Sequence, residues 1–337
     1  MSNVVSLKSN CKSPVVVRMS DVDPEDVDWL WKPYIPKGKL TLLEGDPAVG
    51  KTFLALQLAA SISTGAPLPG PDGKPGERRK QATVLYMSAE DGLADTIRPR
   101  LDKAGADLNY IFVLTGWKSK NSWGQITLSD VEIIEKALQQ VKPALVVVDP
   151  LQGYLGAKTD MHRANEVRPI LANLAALAEQ HRTALLCIRH FNKGQGKSLY
   201  RGMGTIDFTA AARSVLVAGQ DPDDQDKRAI IQIKNSLAQI GSAIGYKIDT
   251  SGNFYWTGLS DLTDQVILQQ HPDSEDKSAV KESEEFLLEV LKNGPVEVKE
   301  IENERKSAGI AERTLKRAKA NLNIKSKKES SSWYWSL

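Results

Sequence analysis

The sequence of 337 residues predicts an α/β fold with a mostly parallel central sheet, followed by a small C-terminal winged helix-turn-helix domain. Short apolar runs alternate with amphipathic helical patterns over most of the chain, which is typical of a sheet covered on both faces. The stretch GDPAVGKT follows the first apolar run and opens a helical pattern. Three short helical patterns and two strand patterns then close the chain, which favours the second domain.

Changes in composition and periodicity divide the chain further. Trp29, Trp31 and Tyr34 lie in an acidic, proline-containing stretch, and we expect them to pack on a neighbouring surface. Later strands around DTSGN are expected to pair antiparallel across that turn. The predicted units are an N-terminal tail or arm over 1–35, the α/β domain over 36–262, a polar linker over 263–279 and the winged helix-turn-helix domain over 280–337.

Composition excludes several classes of protein. The net charge of +2 is too small for a polybasic coat protein. Cys11 and Cys187 are far apart, which indicates neither a disulfide framework nor a metal knuckle and fits a reducing compartment. The apolar runs are too short to span a bilayer, and the N-terminus lacks a signal-peptide core. We therefore expect a cytoplasmic protein without a membrane partner.

The stretch GDPAVGKT matches the phosphate-binding loop G-x-x-x-x-G-K-[ST] at every fixed position. Its glycines allow the backbone to curl so that several N–H groups face one anion. The lysine adds a charge for the β- and γ-phosphates, and the threonine can bind Mg²⁺. The loop therefore predicts a nucleoside triphosphate and Mg²⁺ as ligands, with the nucleotide held by Gly45, Asp46, Pro47, Ala48, Val49, Gly50, Lys51 and Thr52.

Three further polar side chains follow predicted strands. Asp149 ends ALVVVD and is a candidate Mg²⁺ ligand together with Thr52, or alternatively an N-cap. Glu90 ends LYMSAE and is the candidate base for the attacking water, a role that Asp91 could exchange with it. Both acids also suit a helix N-terminus. His190 ends LLCIRH and is either a γ-phosphate sensor or a hydrogen-bonded structural residue.

Basic residues after that histidine suggest a path for DNA. Phe191 to Gly204 is rich in glycine and contains no acid, so it is either a strand-binding loop or an ordinary surface loop. Its cations are Lys193, Lys197 and Arg201. Arg213 and Lys234 are candidates for a cation that reaches the nucleotide of a neighbouring subunit, with structural ion pairing as the alternative.

The C-terminal region is strongly basic. From Arg305 to Lys328 there are nine basic residues and one acid, Glu312, a net charge of +8. Arg313, Lys316 and Arg317 share one face of the third helical pattern, as in a recognition helix over a phosphate backbone. A winged helix that makes only protein contacts is the alternative, because the fold alone does not dictate DNA binding.

The motifs GDPAVGKT, VLYMSAEDG, ALVVVDP, IRHFNKG and YRGMG, in this order and spacing, resemble the RecA-like P-loop ATPases of the plasmid RepA-type hexameric helicase family. The resemblance covers about residues 29–259. It implies six subunits in a ring, ATP between neighbours and single-stranded DNA through the centre. The family roles it implies are the phosphate loop for Lys51 and Thr52, the catalytic glutamate for Glu90, the Mg²⁺ aspartate for Asp149, the sensor for His190, and the trans-acting cation for Arg213 or Lys234.

The resemblance implies an ATP-hydrolysing, ring-forming DNA translocase or helicase that serves replication of a plasmid, phage or other mobile element. Single-stranded DNA would bind the core, and duplex DNA the C-terminal domain. RecA-like cores also power other processes. An ATP-dependent DNA-binding regulator, a recombinase-like filament and a helicase loader without unwinding activity therefore stay open.

Overall fold

The computed structural model describes residues 14–120, 122–156, 159, 163–190, 206–222, 224–268, 274–292, 294–307, 310–322, 324–329 and 332–336. The strands up to residue 259 are β1 (Trp29–Trp31), β2 (Ile35–Pro36), β3 (Leu40–Gly45), β4 (Val84–Ser88), β5 (Ile111–Val113), β6 (Trp117–Lys118), β7 (Trp123–Gly124), β8 (Leu145–Asp149), β9 (Ala184–His190), β10 (Ser214–Gln220), β11 (Arg228–Asn235), β12 (Ile244–Ile248) and β13 (Phe254–Leu259).

Helices connect most of these strands. They are α1 (Lys51–Thr64), α2 (Arg98–Lys103), α3 (Val131–Val141), α4 (Ala164–Gln180), α5 (Ile206–Ala211) and α6 (Asp264–Leu268). A π-helical turn (Leu93–Ile97) precedes α2, and 3₁₀ turns occupy Met19–Asp21, Leu108–Tyr110 and Leu151–Tyr154. No helix of the described residues combines the length and the apolar character that crossing a membrane requires.

Nine strands form one mixed sheet in the order β13-β12-β11-β10-β3-β9-β8-β4-β5. The six strands from β10 to β5 run parallel, and β11, β12 and β13 continue the sheet antiparallel from β10. The α/β class with a mostly parallel sheet is therefore confirmed, and β12 and β13 pair across DTSGN as predicted. Because the parallel strands share one direction, their carboxyl ends meet at a single edge, which we call the carboxyl edge.

The strands have continuous apolar runs because both faces of the sheet are buried. Residues at alternate positions enter different cores. Val147 and Leu186 pack on the face that α1 covers, whereas Val146 and Leu185 pack on the face that α3 and α4 cover. Because successive side chains of a strand point to opposite faces, this alternation decides which side chains at neighbouring strand ends lie on the same face and can contact one another.

The first strands belong to the main core, which corrects the expected boundary at residue 35. Trp31 is 3% exposed and Tyr34 is fully buried. The Trp31 indole nitrogen donates to the Pro69 carbonyl at 2.7 Å, and its ring lies 5.5 Å from that of Trp256. The tail prediction therefore holds at most for residues before Trp29, of which 14–28 are exposed in the described part.

The C-terminal residues form a separate small unit with helices α7 (Ser274–Leu291), α8 (Val298–Ser307) and α9 (Glu312–Asn321) and strands β14 (Val296–Glu297), β15 (Lys325–Glu329) and β16 (Ser332–Ser336). The three strands pair in the order β14-β16-β15. Leu287, Ile301, Leu315 and Trp335 are buried in its core. Three helices and a three-stranded sheet thus make up this unit, and its assignment as a winged helix-turn-helix stays a prediction.

The linker expected over 263–279 needs correction. α6 occupies Asp264–Leu268, and α7 already begins at Ser274. The sequence pattern missed both helices because this stretch carries little apolar periodicity, which is the signal on which a helix prediction rests. Ile267 packs closely over Gly219 of β10, so α6 belongs with the nine-stranded sheet.

Candidate nucleotide site

The phosphate loop joins the carboxyl end of β3 to the first turn of α1. Gly50 has φ +94°, and a Cβ there would collide with the Ile248 side chain. A Cβ at Gly45 would collide with the Ala218 carbonyl. These two close approaches explain why the loop has glycine at both positions. The loop therefore leads directly into the N-terminus of α1, where backbone N–H groups lack helical partners.

Lys51 lies against the loop and is only 4% exposed. Its Nζ donates to the carbonyl oxygens of Gly45 at 2.9 Å and Asp46 at 2.7 Å. Burial lowers the pKa of Lys51 to about 8, and the nearby charges of Asp46, Asp149 and Glu90 act in the opposite direction. The lysine is thus a buried cation close to acids from two other strand ends.

Asp149 ends β8 next to β4 and is 7% exposed. The Tyr86 hydroxyl donates to its Oδ2 at 2.8 Å, and the Thr52 hydroxyl also hydrogen-bonds the carboxylate. Burial raises the pKa of Asp149, the two hydroxyl bonds counteract that effect, and Asp91 and Glu90 raise the pKa further. Hydrogen bonds from two hydroxyls thus offset part of the cost of burying this acid.

Thr52 and Asp149 together fit Mg²⁺. They bring a hydroxyl and a carboxylate oxygen into contact beside the phosphate loop, and hard oxygen ligands suit this ion. Within the described residues, no cluster of three or more His, Cys, Asp and Glu side chains could hold a metal by itself. Mg²⁺ usually binds one or two protein ligands and completes its shell with phosphate and water.

Glu90 and Asp91 follow β4 and differ in their surroundings. Asp91 forms an ion pair with Arg100 at 3.0 Å, and the Arg100 guanidinium lies over the Phe53 ring, 4.4 Å from its centroid. Glu90 is exposed, and its charge acts on Lys51, Asp149 and His190. Because Asp91 is paired with Arg100, Glu90 is the better candidate for the carboxylate that contacts a water molecule.

His190 ends β9 directly opposite Gly45 in the strand register. Its Nδ1 is buried without a hydrogen-bond partner among the described residues. Burial and Lys51 lower the pKa of His190, against the opposing effect of Glu90 and Asp149. The imidazole is therefore neutral at neutral pH and can both donate and accept a hydrogen bond.

Arg213 and Lys234 do not join this cluster. The Arg213 N–H donates to the Leu40 carbonyl, so Arg213 lies level with the start of β3. Five residues of β3 separate that level from Gly45, about 16 Å at the rise of a strand. The Lys234 Nζ donates to the carbonyls of Thr209 at 2.6 Å and Ala212 at 2.8 Å, which ties it to the end of α5.

The predicted DNA-binding residues are only partly described. Lys193, Lys197 and Arg201 lie outside the described residues, as do the side chains of Arg313 and Arg317 on α9. Lys316 forms an ion pair with Glu312 at 2.6 Å, and that contact raises the pKa of Lys316. Lys319, which we did not predict, has its Nζ over the Trp335 ring, 4.3 Å from the centroid.

Sequence reasoning missed two tyrosines that shape the site. Tyr86 holds Asp149, and the Tyr246 hydroxyl donates to the Val49 carbonyl of the phosphate loop at 2.7 Å. Both lie within strands and are fully buried. In the sequence they look like ordinary core residues, and the only available signal was the need of a buried hydroxyl for a partner.

The strand–loop–helix, the parallel sheet and the acids at neighbouring strand ends define a P-loop ATPase of RecA-like fold. The chain matches the family AAA_25, described as an AAA domain, over residues 8–196. Since this match covers more than half of the 337 residues, the chain belongs to that family.

The chain is also similar to known bacterial proteins. It is 28% identical over 163 residues to the DNA repair protein RadA of Bacillus subtilis (strain 168), over 47% of this chain and 29% of that protein. It is 30% identical over 163 residues to the protein of the same name from Mycobacterium tuberculosis (strain ATCC 25618 / H37Rv), over 47% and 28%. The chain thus spans less than a third of the length of these relatives.

Among solved structures, the KaiC-like protein PH0186 from Pyrococcus horikoshii OT3 aligns with a TM-score of 0.48 and 14% sequence identity. The alignment covers 68% of this chain and 99% of that one.

Proposed function

We propose that this chain is an ATP-hydrolysing, ring-forming DNA translocase of the RepA-type hexameric helicase kind, which serves replication of a plasmid, phage or other mobile element. The observation that carries the ATPase part is the meeting of Lys51, Glu90 and Asp149 at one point of the carboxyl edge. Their charges act on one another, although they follow three different strands of the sheet.

ATP would bind with its phosphates on the loop and on Lys51, which would exchange the loop carbonyls for phosphate oxygens. Thr52 and Asp149 would hold Mg²⁺, which supplies charge neutralisation to the phosphates. Glu90 would orient the attacking water and accept its proton. Neutral His190 would form a hydrogen bond near the γ-phosphate, and so couple the presence or absence of that phosphate to the segment that follows β9.

Arg213 is the better candidate for the cation that acts in trans. Arg213 is exposed and lies level with the start of β3, at the edge of the sheet opposite the phosphate loop, so it is far from the nucleotide of its own chain. Lys234 is bound to α5 carbonyls in its own chain and would have to leave them first. A cation that reaches the γ-phosphate of a neighbour requires a ring or a filament of repeated subunits.

A DNA partner is supported by two locally basic segments and by the names of the relatives. The segment with Lys193, Lys197 and Arg201 directly follows His190, which would link strand binding to the γ-phosphate. The RadA proteins that the chain resembles are named DNA repair proteins. The basic C-terminal unit, as a winged helix-turn-helix, would bind duplex DNA through α9.

The test is the ATPase rate with and without single-stranded DNA, on protein whose mass is measured in the same buffer. We expect a hexamer and a rate that single-stranded DNA stimulates, with Lys51→Ala as the inactive control. A strand-displacement assay then separates the alternatives. Stimulated hydrolysis without displacement would support a regulator or a loader, and no stimulation would remove DNA from the proposal.

A recombinase-like filament is the second candidate, favoured by the resemblance to proteins named for DNA repair. It predicts open assemblies of variable length on DNA, which electron microscopy distinguishes from closed rings.

The C-terminal proposal has its own test. Reversing the charge of Arg313, Lys316 and Arg317 together should weaken duplex binding and leave the basal ATPase rate unchanged. Unchanged duplex affinity would favour the alternative of a module for protein contacts.

A further inference from the structure

A short hairpin beyond β5 takes no part in the nucleotide site. β6 and β7 pair antiparallel in the sequence GWKSKNSWG, with Trp117 opposite Gly124 and Lys118 opposite Trp123. The Ser119 N–H donates to the Ser122 carbonyl at 2.8 Å and closes the turn. We call Gly116 to Gly124 the Trp hairpin.

The two indoles rest on glycine backbone rather than in a core. A Cβ at Gly124 would collide with the Trp117 ring, and one at Gly116 would lie 3.3 Å from the Trp123 ring. Neither indole belongs to a hydrophobic cluster of the described residues, and Trp123 is 63% exposed. Each ring is therefore backed on one side, and a large part of the Trp123 surface faces solvent.

The sequence around the two indoles carries charge of one sign. Lys118 and Lys120 are exposed on the hairpin, and the sequence contains no acid from Leu108 through Ser129. Exposed aromatic rings beside lysines are the features that bind single-stranded nucleic acid, because bases stack on the rings and phosphates pair with the cations. The cations favour an anionic partner, and the exposed Trp123 ring beside them favours a single strand with bases to stack over an acidic protein surface.

The segments that lead into and out of the hairpin are hydrogen-bonded to the elements that flank Asp149. On the way in, the Leu114 N–H donates to the carbonyl of Tyr86, whose hydroxyl binds Asp149. On the way out, the Leu128 N–H donates to the carbonyl of Tyr154, in the 3₁₀ turn that follows Asp149. A ligand on the hairpin would therefore be connected, through these backbone hydrogen bonds, to the strand and the turn that flank the Mg²⁺ aspartate.

We infer that the Trp hairpin is a further contact for single-stranded nucleic acid, which stacks a base on Trp123 and pairs phosphates with Lys118 and Lys120. The inference rests on the proposed DNA-dependent ATPase. It adds a site distinct from the segment after His190 and from the C-terminal unit, at the end of the sheet where β5 is the outermost strand.

The test uses the full chain and a fluorescein-labelled oligothymidylate, with binding followed by anisotropy over a series of salt concentrations. Trp123→Ala should weaken binding by about 5- to 100-fold, the range for one stacked base, at an unchanged salt slope. Lys118→Ala with Lys120→Ala should reduce the slope of log K against log salt by about 1.4, since each phosphate contact to a single strand contributes about 0.7. Both variants should keep the basal ATPase rate, which also reports that they fold.

Two exposed residues elsewhere serve as matched controls. Tyr255→Ala removes an exposed aromatic on β13, at the other end of the sheet, and Lys136→Ala removes an exposed cation on α3. Neither should change the affinity. If Trp123→Ala binds as tightly as the wild type, or changes only the mass of the assembly, the hairpin proposal is overturned. If the wild type itself does not bind the strand, the DNA part of the proposed function fails as well.

Discussion

The parallel strands of the sheet end at two opposite edges, and these two edges carry different functional side chains. At the carboxyl edge, β3, β4, β8 and β9 bring a lysine, three acids and a histidine of one chain to the phosphate loop. At the opposite edge, Arg213 is an exposed cation far from that loop. The first edge has what is needed to bind a triphosphate and to direct a water molecule at it. The second carries an exposed cation at a distance from the loop, and its proposed role is to reach the nucleotide of a neighbouring copy.

The largest effect that we predict tests this division. Arg213→Ala should reduce the ATPase rate by roughly 10³-fold or more, the range for an arginine that stabilises the charge of phosphoryl transfer. Nucleotide binding to the single chain should change little, because Arg213 lies away from the phosphate loop. Equilibrium binding of a fluorescent ATP analogue and steady-state hydrolysis would separate the two effects.

A mixing experiment decides whether Arg213 acts between chains. Arg213→Ala and Glu90→Gln are each expected to be inactive alone. When they are mixed, about a quarter of the contacts in a random ring combine an intact Glu90 with an intact Arg213 from the neighbour, so activity should return. An arginine that acts within its own chain would leave the mixture inactive, because every chain lacks one of the two groups.

The second prediction contrasts neighbouring acids at the carboxyl edge. Glu90→Gln should lower turnover by about 10²- to 10⁴-fold and preserve ATP binding, as expected for loss of a general base. Asp91→Asn should have a smaller effect on turnover, since Asp91 is paired with Arg100. Single-turnover hydrolysis measures both. The opposite ranking would assign the base to Asp91 and leave Glu90 as an acid at a helix N-terminus.

The predictable part of the site is the part that interrupts an apolar run. Lys51, Asp149 and His190 each end or follow a buried strand, and a polar residue there is visible in the sequence. Tyr86 escaped because it lies inside a strand, and only the pairing of β4 with β8 brings it to Asp149 on the face that α1 covers.

The errors in the domain boundaries have a related cause. Trp31 and Tyr34 stand among acids and prolines, and their burial depends on contacts with Pro69, Trp256 and Ser242, which lie far away in the sequence. α6 and the start of α7 carry little apolar periodicity. Local pattern thus predicts the strands that carry the nucleotide site, whereas long-range contacts decide where the domain begins and ends.

The third prediction concerns a layer just below the carboxyl edge. Glu44 and Arg189 are paired in the register of β3 and β9 and form an ion pair with 1% and 4% of their side chains exposed. The Arg189 guanidinium also lies over the Phe208 ring of α5, 4.8 Å from its centroid. Burial raises the pKa of Glu44 to about 7, against the opposing effect of Arg189, so the carboxyl is fully ionised only at higher pH. Well above pH 7, Glu44→Gln should lower the free energy of unfolding by about 3–5 kcal/mol, because the buried guanidinium loses this counter-charge.

Chemical denaturation measures this loss, and a double variant serves as its control. Glu44→Gln with Arg189→Met removes both charges and should recover most of the stability, since apolar replacements of buried ion pairs are often neutral. If the double variant is less stable than either single variant, the pair does not act through its charges. Packing of the two long side chains would then explain the effect.

The smallest effect comes from the hydroxyl behind the Mg²⁺ aspartate. Tyr86→Phe removes one hydrogen bond to Asp149, worth about 1.5–3 kcal/mol for a bond to a charged group. Because this bond lowers the pKa of Asp149 against the effect of burial, its loss raises that pKa further. More of the carboxyl is then protonated at a given pH. The acidic limb of the ATPase profile should move to higher pH, and half-maximal activity should require more Mg²⁺.

Tyr154→Phe is the matched control. The charge of Asp149 raises the pKa of the Tyr154 hydroxyl, but this hydroxyl is not one of the two that bind the carboxylate. If Tyr154→Phe moves the acidic limb of the ATPase profile as far as Tyr86→Phe does, the loss of any nearby hydroxyl produces the shift. The bond from Tyr86 would then have no special role in positioning the aspartate.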